Sequence, residues 1–167
     1  ENWYMGFGQS KLPGNRQRVI SSGNIQMPDR SVANNTYTLD RDMGLFLYGK
    51  QKLFLNVIGK YKAAISSGEG RNASFTNDGL AYTNRLEILP FGYFENTGDY
   101  SEGDMEFEEK PKLSLGATYS YNHKTTRTGG QIGSNLPYNL TMQTFIADGI
   151  FKYRGFSLLG EFFYREI

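Results

Sequence analysis

Hydrophobic and polar residues alternate with a period of two along most of the chain. In the sequence FKYRGFSLLGEFFYREI, one parity from Phe156 to Tyr164 is wholly apolar, whereas the other includes Ser157, Glu161 and Arg165. Sustained alternation of this kind predicts a strand rather than a helix. The apolar face would be the core of a soluble sandwich, or the lipid-facing side of an outer-membrane barrel whose mixed face meets water inside.

The same pattern predicts about seven antiparallel strands, most of them near the ~9–11 residues of a tilted membrane-spanning strand. They are Trp3–Gly8, Met43–Lys50, Leu53–Lys62, Leu80–Ile88, Leu113–Tyr121, Phe145–Tyr153 and Phe156–Tyr164. We therefore predict an all-β fold, an antiparallel up-and-down transmembrane β-barrel of which this chain is an incomplete segment. Residues 1–167 would form part of one barrel domain.

The predicted connections differ between the two ends of the strands. Tight hairpin turns are expected at Gln51–Lys52 and Arg154–Gly155, and long loops at about 10–41, 64–79 and 124–140. In an up-and-down chain the long loops share one side, as in a barrel with short periplasmic turns and long extracellular loops. The acidic connection at 95–110 lies on the short-turn side, where we expect a solvated charge run rather than a calcium site.

Composition narrows the classes of function. No run approaches the ~18 apolar residues of a spanning helix, and 15% aromatic residues are typical of strands. A net charge of +1 gives no basic field for nucleic acid. With no Cys and one His, the sequence predicts no metal site, no cofactor and no enzymatic activity. The chain starts without Met and stops within a strand pattern, so we expect a fragment of a longer protein.

Several stretches also carry a family resemblance. The runs WYMGFGQSKLP, SSGNIQMPDRS and DRDMGLFLYGK, followed by RLEILPFGYF and KLSLGATYSYN, resemble the phosphate-selective porin family of Gram-negative outer membranes. In that family a strand ending Gly-Gln-x-Lys-x-Pro precedes a long loop and a strand that begins Arg-Asp-x-Gly. The resemblance implies a sixteen-stranded porin, usually a homotrimer, of which this chain would contain fewer than half of the strands.

Candidate functional residues follow from strand parity and from the long loop. The residues expected to line the pore are Lys60, Lys62, Arg85, Glu87, Asp148, Lys152, Glu161 and Arg165. Those expected in a constriction loop are Lys11, Arg16, Arg18, Arg30 and Arg41. Charges that line a narrow pore bias which ions enter, and the basic excess predicts a weak to moderate anion preference. The alternative is that these charges only hydrate the wall and pair with one another.

We therefore predict an outer-membrane porin that allows passive diffusion of small polar or anionic solutes. Its partners would be outer-membrane lipid and the solutes, with further copies in a homotrimer or subunits of an envelope complex, and no nucleic acid. One alternative is a plugged barrel that docks partners within a larger cell-envelope complex. A second is a secreted β-sandwich that binds carbohydrate through its aromatic residues.

Overall fold

The computed structural model describes residues 2–71, 73 and 77–167. Within these ranges the chain forms a seven-stranded antiparallel sheet in which each strand pairs with the next one along the sequence. The strands are β1 (Trp3–Lys11), β2 (Arg41–Phe54), β3 (Val57–Ser66), β4 (Ala81–Leu89), β5 (Lys112–Arg127), β6 (Asn135–Tyr153) and β7 (Phe156–Glu166). The prediction of an all-β, up-and-down arrangement is confirmed. The sheet is not closed, because β1 and β7 are its two edges.

In the part of the chain that the structure describes, helical structure is found in two of the connections. Between β1 and β2 lie α1 (Arg16–Val19), a 3₁₀ turn at Ser22–Asn24 and α2 (Val32–Tyr37), and a second 3₁₀ segment covers Glu95–Tyr100. In the described ranges, no helix has the length and apolar character needed to cross a membrane.

One predicted hairpin turn is confirmed and the other is wrong. Arg154 and Gly155 both have positive φ, 48° and 84°, as a two-residue turn between twisted strands requires. At the other hairpin, Gln51 and Lys52 remain paired within β2, and the chain reverses at Leu55–Asn56, with Leu55 at φ 46°. Leu55 was predicted to lie within a strand, but it belongs to this turn.

The long connections at the other end of the sheet are unequal. The first covers residues 12–40 and the second covers 67–80. The third covers only 128–134, because β5 and β6 continue beyond their predicted ends as a twisted ribbon with two register shifts. The ends of the sheet are called the loop end, where these connections lie, and the turn end, where Leu55–Asn56 and Arg154–Gly155 lie.

The two faces of the sheet differ sharply in polarity and cover. One face, the bare face, is predominantly apolar on all seven strands, with Asn84 as a polar exception in β4, and it carries no covering layer of described residues. Its exposed side chains include Phe7, Leu45, Ile65, Leu86, Ile88, Leu115, Tyr119, Phe145, Leu158 and Phe162. Strict alternation produces this separation, and in β4 every second residue is buried on the other, covered face.

The covered face lies beneath two connections that enter from opposite ends. These are the long segment, residues 12–40, and the acidic segment, residues 90–111. Each segment contributes to a small hydrophobic cluster, one around Leu12 and Leu39 and one around Phe94. Charged and hydroxyl side chains of the strands lie between the two clusters, so the covered face has a polar centre.

Candidate site on the covered face

The centre of the covered face is a buried network of ion pairs around Asp148. The Arg85 guanidinium donates two hydrogen bonds to this carboxylate, at 2.6 and 2.8 Å. Arg16 of the long segment reaches the same carboxylate with Nε at 2.9 Å. Its other nitrogens donate to Ser114 Oγ at 2.8 Å and to the carbonyl oxygen of Asp99 at 3.0 Å. Arg16, in the long segment, thus binds both the sheet and the acidic segment.

Glu87 extends the network to strand β3 and to the acidic segment. Its carboxylate accepts from Arg85 Nε at 2.6 Å and from Lys62 Nζ at 3.2 Å. The hydroxyl of Tyr100, in the acidic segment, donates to Glu87 Oε2 at 3.1 Å and also contacts the Lys62 amine. Burial, reinforced by the charge of Glu87, raises the pKa of Tyr100 well above its usual value, so the phenol keeps the proton that it donates.

A glycine makes room for this network. Gly116 is paired with Asp148 on β6 and with Glu87 on β4. A Cβ atom at Gly116 would lie 2.7 Å from Asp148 Oδ1 and closer still to the Arg85 guanidinium. The missing side chain therefore lets the two charged groups meet directly above the sheet.

The acidic segment is folded onto the covered face of the sheet, so the prediction that it is a solvated loop is wrong. Asp99, Glu102, Asp104 and Glu108 are all buried. Much of their hydrogen bonding comes from backbone N–H groups: Asp104 accepts from Gly155 at 2.7 Å, and Glu108 accepts from Glu95 at 2.8 Å. Backbone donors can stabilise a buried carboxylate without a neighbouring cation.

A second charged group, the basic cluster, lies at the loop end around Asp40. It contains Lys11, Arg18, Arg30, Arg41 and Arg71. Arg18 is paired with Asp40, and Arg71 Nε lies 3.7 Å from the same carboxylate. Burial raises the pKa of Asp40, but the hydrogen bond and charge of Arg18 outweigh it, and the pKa is lowered. Among the described residues of this cluster, the cations outnumber the carboxylate of Asp40, so the cluster is positively charged.

The other residues predicted from the sequence also lie on the covered side. Lys60 Nζ binds Asp99 Oδ2 at 2.5 Å. Lys152 is fully buried and donates to the carbonyl oxygen of Gly103 at 2.5 Å. These two lysines bind the acidic segment to the sheet at the turn end.

Two further predicted residues bind the long segment at β7. Glu161 accepts from the backbone N–H of Gln17 at 2.8 Å. Arg165 donates to the carbonyl oxygens of Thr36, at 3.2 Å, and Tyr37, at 2.9 Å. The long segment therefore runs from edge strand β1 across the covered face to edge strand β7.

The predicted constriction residues do not share one environment. Arg16 is buried in the network, whereas Arg30 donates only to carbonyl oxygens of its own segment, at Gln17 and Ile20. Lys11 and Arg41 are opposite each other at the loop end of β1 and β2. The cationic residues of the basic cluster retain at least partial exposure, whereas Arg16 is buried.

Sequence reasoning missed further residues that contribute to the network or to the packing of its cover, namely Asn15, Asp99, Tyr100, Glu102, Ser114 and Gly116. The density of acidic residues at 95–109 was visible in the sequence, but it gives no sign of inward folding.

Comparisons with protein-family models, curated proteins and solved structures gave no match. The polarity of the two faces and the geometry of the network are therefore the features from which a function can be inferred.

Proposed function

We propose that this chain is part of the wall of a bacterial outer-membrane β-barrel that lets small polar or anionic solutes diffuse through its lumen. The observation that carries the proposal is the distribution of polarity. The bare face is predominantly apolar on every strand, and the buried charges lie on the covered face. This is the distribution expected of a sheet with lipid on one side and an aqueous interior on the other.

A soluble sandwich would distribute its side chains in the opposite way. Its apolar face would be packed against a second layer, and its charges would face water. Here the apolar face extends over all the strands, far beyond the scattered exposed hydrophobic residues of ordinary surfaces. The secreted carbohydrate-binding sandwich is therefore the weakest of the three candidate functions.

A membrane location requires the sheet to close. The outer backbone groups of β1 and β7 have no neighbouring strand among the described residues, and unpaired backbone groups are costly in hydrocarbon. We propose that further strands, from the same polypeptide or from another chain, pair with these edges. A homotrimer of complete barrels is the assembly that the family resemblance implies.

The preference for anions is supported by the basic cluster. Its partly exposed cations lie where the long segment meets the loop end, which would be the outer mouth of the pore. Cations at a narrow entrance raise the local concentration of anions. The acidic segment opposes this effect at the turn end, so the expected preference is weak and falls as salt screens the charges.

A plugged docking barrel is the second candidate, and the interlocked cover supports it. The long and acidic segments together hide the charged centre of this wall. If the remaining wall is covered in the same way, the lumen is closed and the loops serve to bind partners in an envelope complex.

Conductance separates these candidates. Detergent-purified full-length protein should give discrete channels in a planar bilayer, with a reversal potential under a salt gradient that indicates anions. Stable protein that inserts but does not conduct would favour the docking barrel. Protein that remains monodisperse in water without detergent would overturn both barrel functions.

A further inference from the structure

The two covering segments are interlocked where they meet. Arg16 of the long segment donates to the carbonyl oxygen of Asp99 in the acidic segment, at 3.0 Å. A second connection is made by Glu102, whose N–H donates to the carbonyl oxygen of Asn24 at 2.8 Å. The Glu102 carboxylate accepts from Gln17 Nε2 at 2.9 Å. Segments that enter from opposite ends of the sheet are thus joined into one layer.

Arg16 also connects this layer to the wall. Its guanidinium binds Asp148 on β6 and Ser114 on β5, at 2.9 and 2.8 Å, and the residue is 1% exposed. A group so deeply buried cannot exchange contacts with a passing solute. Its hydrogen bonds instead fix the position of α1 over the sheet.

We propose that Arg16 and Glu102 set the size limit for solutes by holding the two segments at a fixed depth over the wall. This inference rests on the proposed function and deepens it. Arg16 is a positioning residue rather than a selectivity charge. The cross-section of the pathway is then bounded by the outer surface of the interlocked layer, which includes the exposed side chains of Met27, Val32 and Met105.

The wall can keep its structure when Arg16 is removed. Asp148 retains both hydrogen bonds from Arg85, and Arg85 retains Glu87. The base of the long segment stays anchored through Leu12 and Leu39 in their hydrophobic cluster. Loss of Arg16 should therefore loosen the region of α1 without opening the sheet.

The first experiment compares Arg16→Ala with Arg154→Ala. Arg154 is a charge-matched control because its side chain is exposed in the turn between β6 and β7, outside both covering segments. In proteoliposomes we expect Arg16→Ala to admit larger neutral sugars and to raise single-channel conductance by about two-fold or more, since pore width limits passage. Arg154→Ala should leave the sugar cut-off unchanged. Trypsin cleavage after Arg18 should be faster in Arg16→Ala than in wild type.

A second variant guards against misfolding. If Arg16→Ala fails to insert, Glu102→Gln replaces one of the two oxygens that accept from Gln17 Nε2 and from the backbone N–H of Gln26 with an NH2 group that cannot accept. This variant weakens the interlock with little change in shape and should shift the sugar cut-off in the same direction. Cysteines at Asn24 and Glu102, whose backbones are hydrogen-bonded, should form a disulfide. In the Arg16→Ala background, forming this disulfide by oxidation should restore the wild-type sugar cut-off. Reducing the disulfide should return the cut-off to that of Arg16→Ala.

The outcomes distinguish the inference from the function on which it rests. Wild-type protein without any conductance would overturn the proposed pore, and tryptic protection of Arg18 would still report whether Arg16 holds the cover. Wild-type conductance with the same cut-off and protection in Arg16→Ala and Glu102→Gln would overturn the inference alone.

Discussion

The bare face and the covered face are built from the same seven strands, yet they are stabilised by different surroundings. The covered face contains buried charges that need specific partners, such as Asp148 between Arg16 and Arg85. The bare face needs only an apolar environment, and the chain supplies none among the described residues. The effect of a substitution therefore depends on its face: the covered face is sensitive to geometry and the bare face to solvent.

The largest expected effect is on the covered face. Asp148→Ala leaves two buried arginines without their shared carboxylate, and removing one member of a buried ion pair costs about 3–5 kcal/mol. Urea unfolding of the protein in lipid vesicles measures this loss. Asp78→Ala is the control, because that carboxylate forms its pair with Lys124 in solvent and should change stability little. A tolerated Asp148→Ala would mean that water reaches the network.

The second test introduces a charge at two depths of the bare face. Leu86 lies in the middle part of β4. Phe156 is the first residue of β7 and follows the Arg154–Gly155 turn. If this face meets lipid, Leu86→Arg should cost about 2–4 kcal/mol and Phe156→Arg about 0–1 kcal/mol, because the penalty depends on depth in the bilayer. Unfolding in vesicles reports both. Equally small costs at the two positions would place this face in water.

A third test uses glycines on opposite faces. At Gly116 an added methyl group would press on Asp148 and Arg85, whereas at Gly160 on the bare face nothing lies within 4 Å of the added atom. Gly116→Ala should therefore destabilise by about 1–3 kcal/mol, the usual cost of overpacking. Gly160→Ala should be close to neutral. Matching losses in urea midpoint at both sites would show that the network tolerates displacement.

The smallest effect concerns pH at the edge of the covered face. Because the pKa of Asp40 is lowered in the folded protein, its ionised form favours folding above its unfolded value, near 3.8. That contribution is lost as the pH falls through the lowered folded pKa. Asp40→Asn should therefore lower the urea midpoint of unfolding at neutral pH. In acid the midpoints of the variant and the wild type should converge. A difference that does not change with pH would mean that Asp40 stays ionised or acts without its charge.

The strands and their two faces could be predicted from the sequence because both depend on local alternation. Strand parity predicts that Arg85 and Glu87 lie on one face of the sheet and Leu86 on the other, and β4 has this arrangement. The turn at Arg154–Gly155 was predictable because glycine accepts positive φ. The turn at Leu55–Asn56 was not, since leucine rarely adopts that conformation and nothing local marks it.

The cover could not be predicted, because its contacts join distant parts of the chain. Arg16 meets Asp148 across 132 positions and Ser114 across 98. A sequence of alternating strands does not reveal which connection folds inward. The acidic segment was misjudged for the same reason: its carboxylates are stabilised by backbone N–H groups that only the folded chain brings near.

The separation in sequence between Arg16 and its partners also bears on the order of assembly. Each strand pairs with its neighbour in the chain, so the wall can grow hairpin by hairpin with little loop-closure entropy. The cover needs β1, β5 and β6 in place before Arg16 finds Asp148 and Ser114. We therefore expect docking of the two segments to follow formation of the sheet, and until it is complete Asp148 and Arg85 are accessible to water.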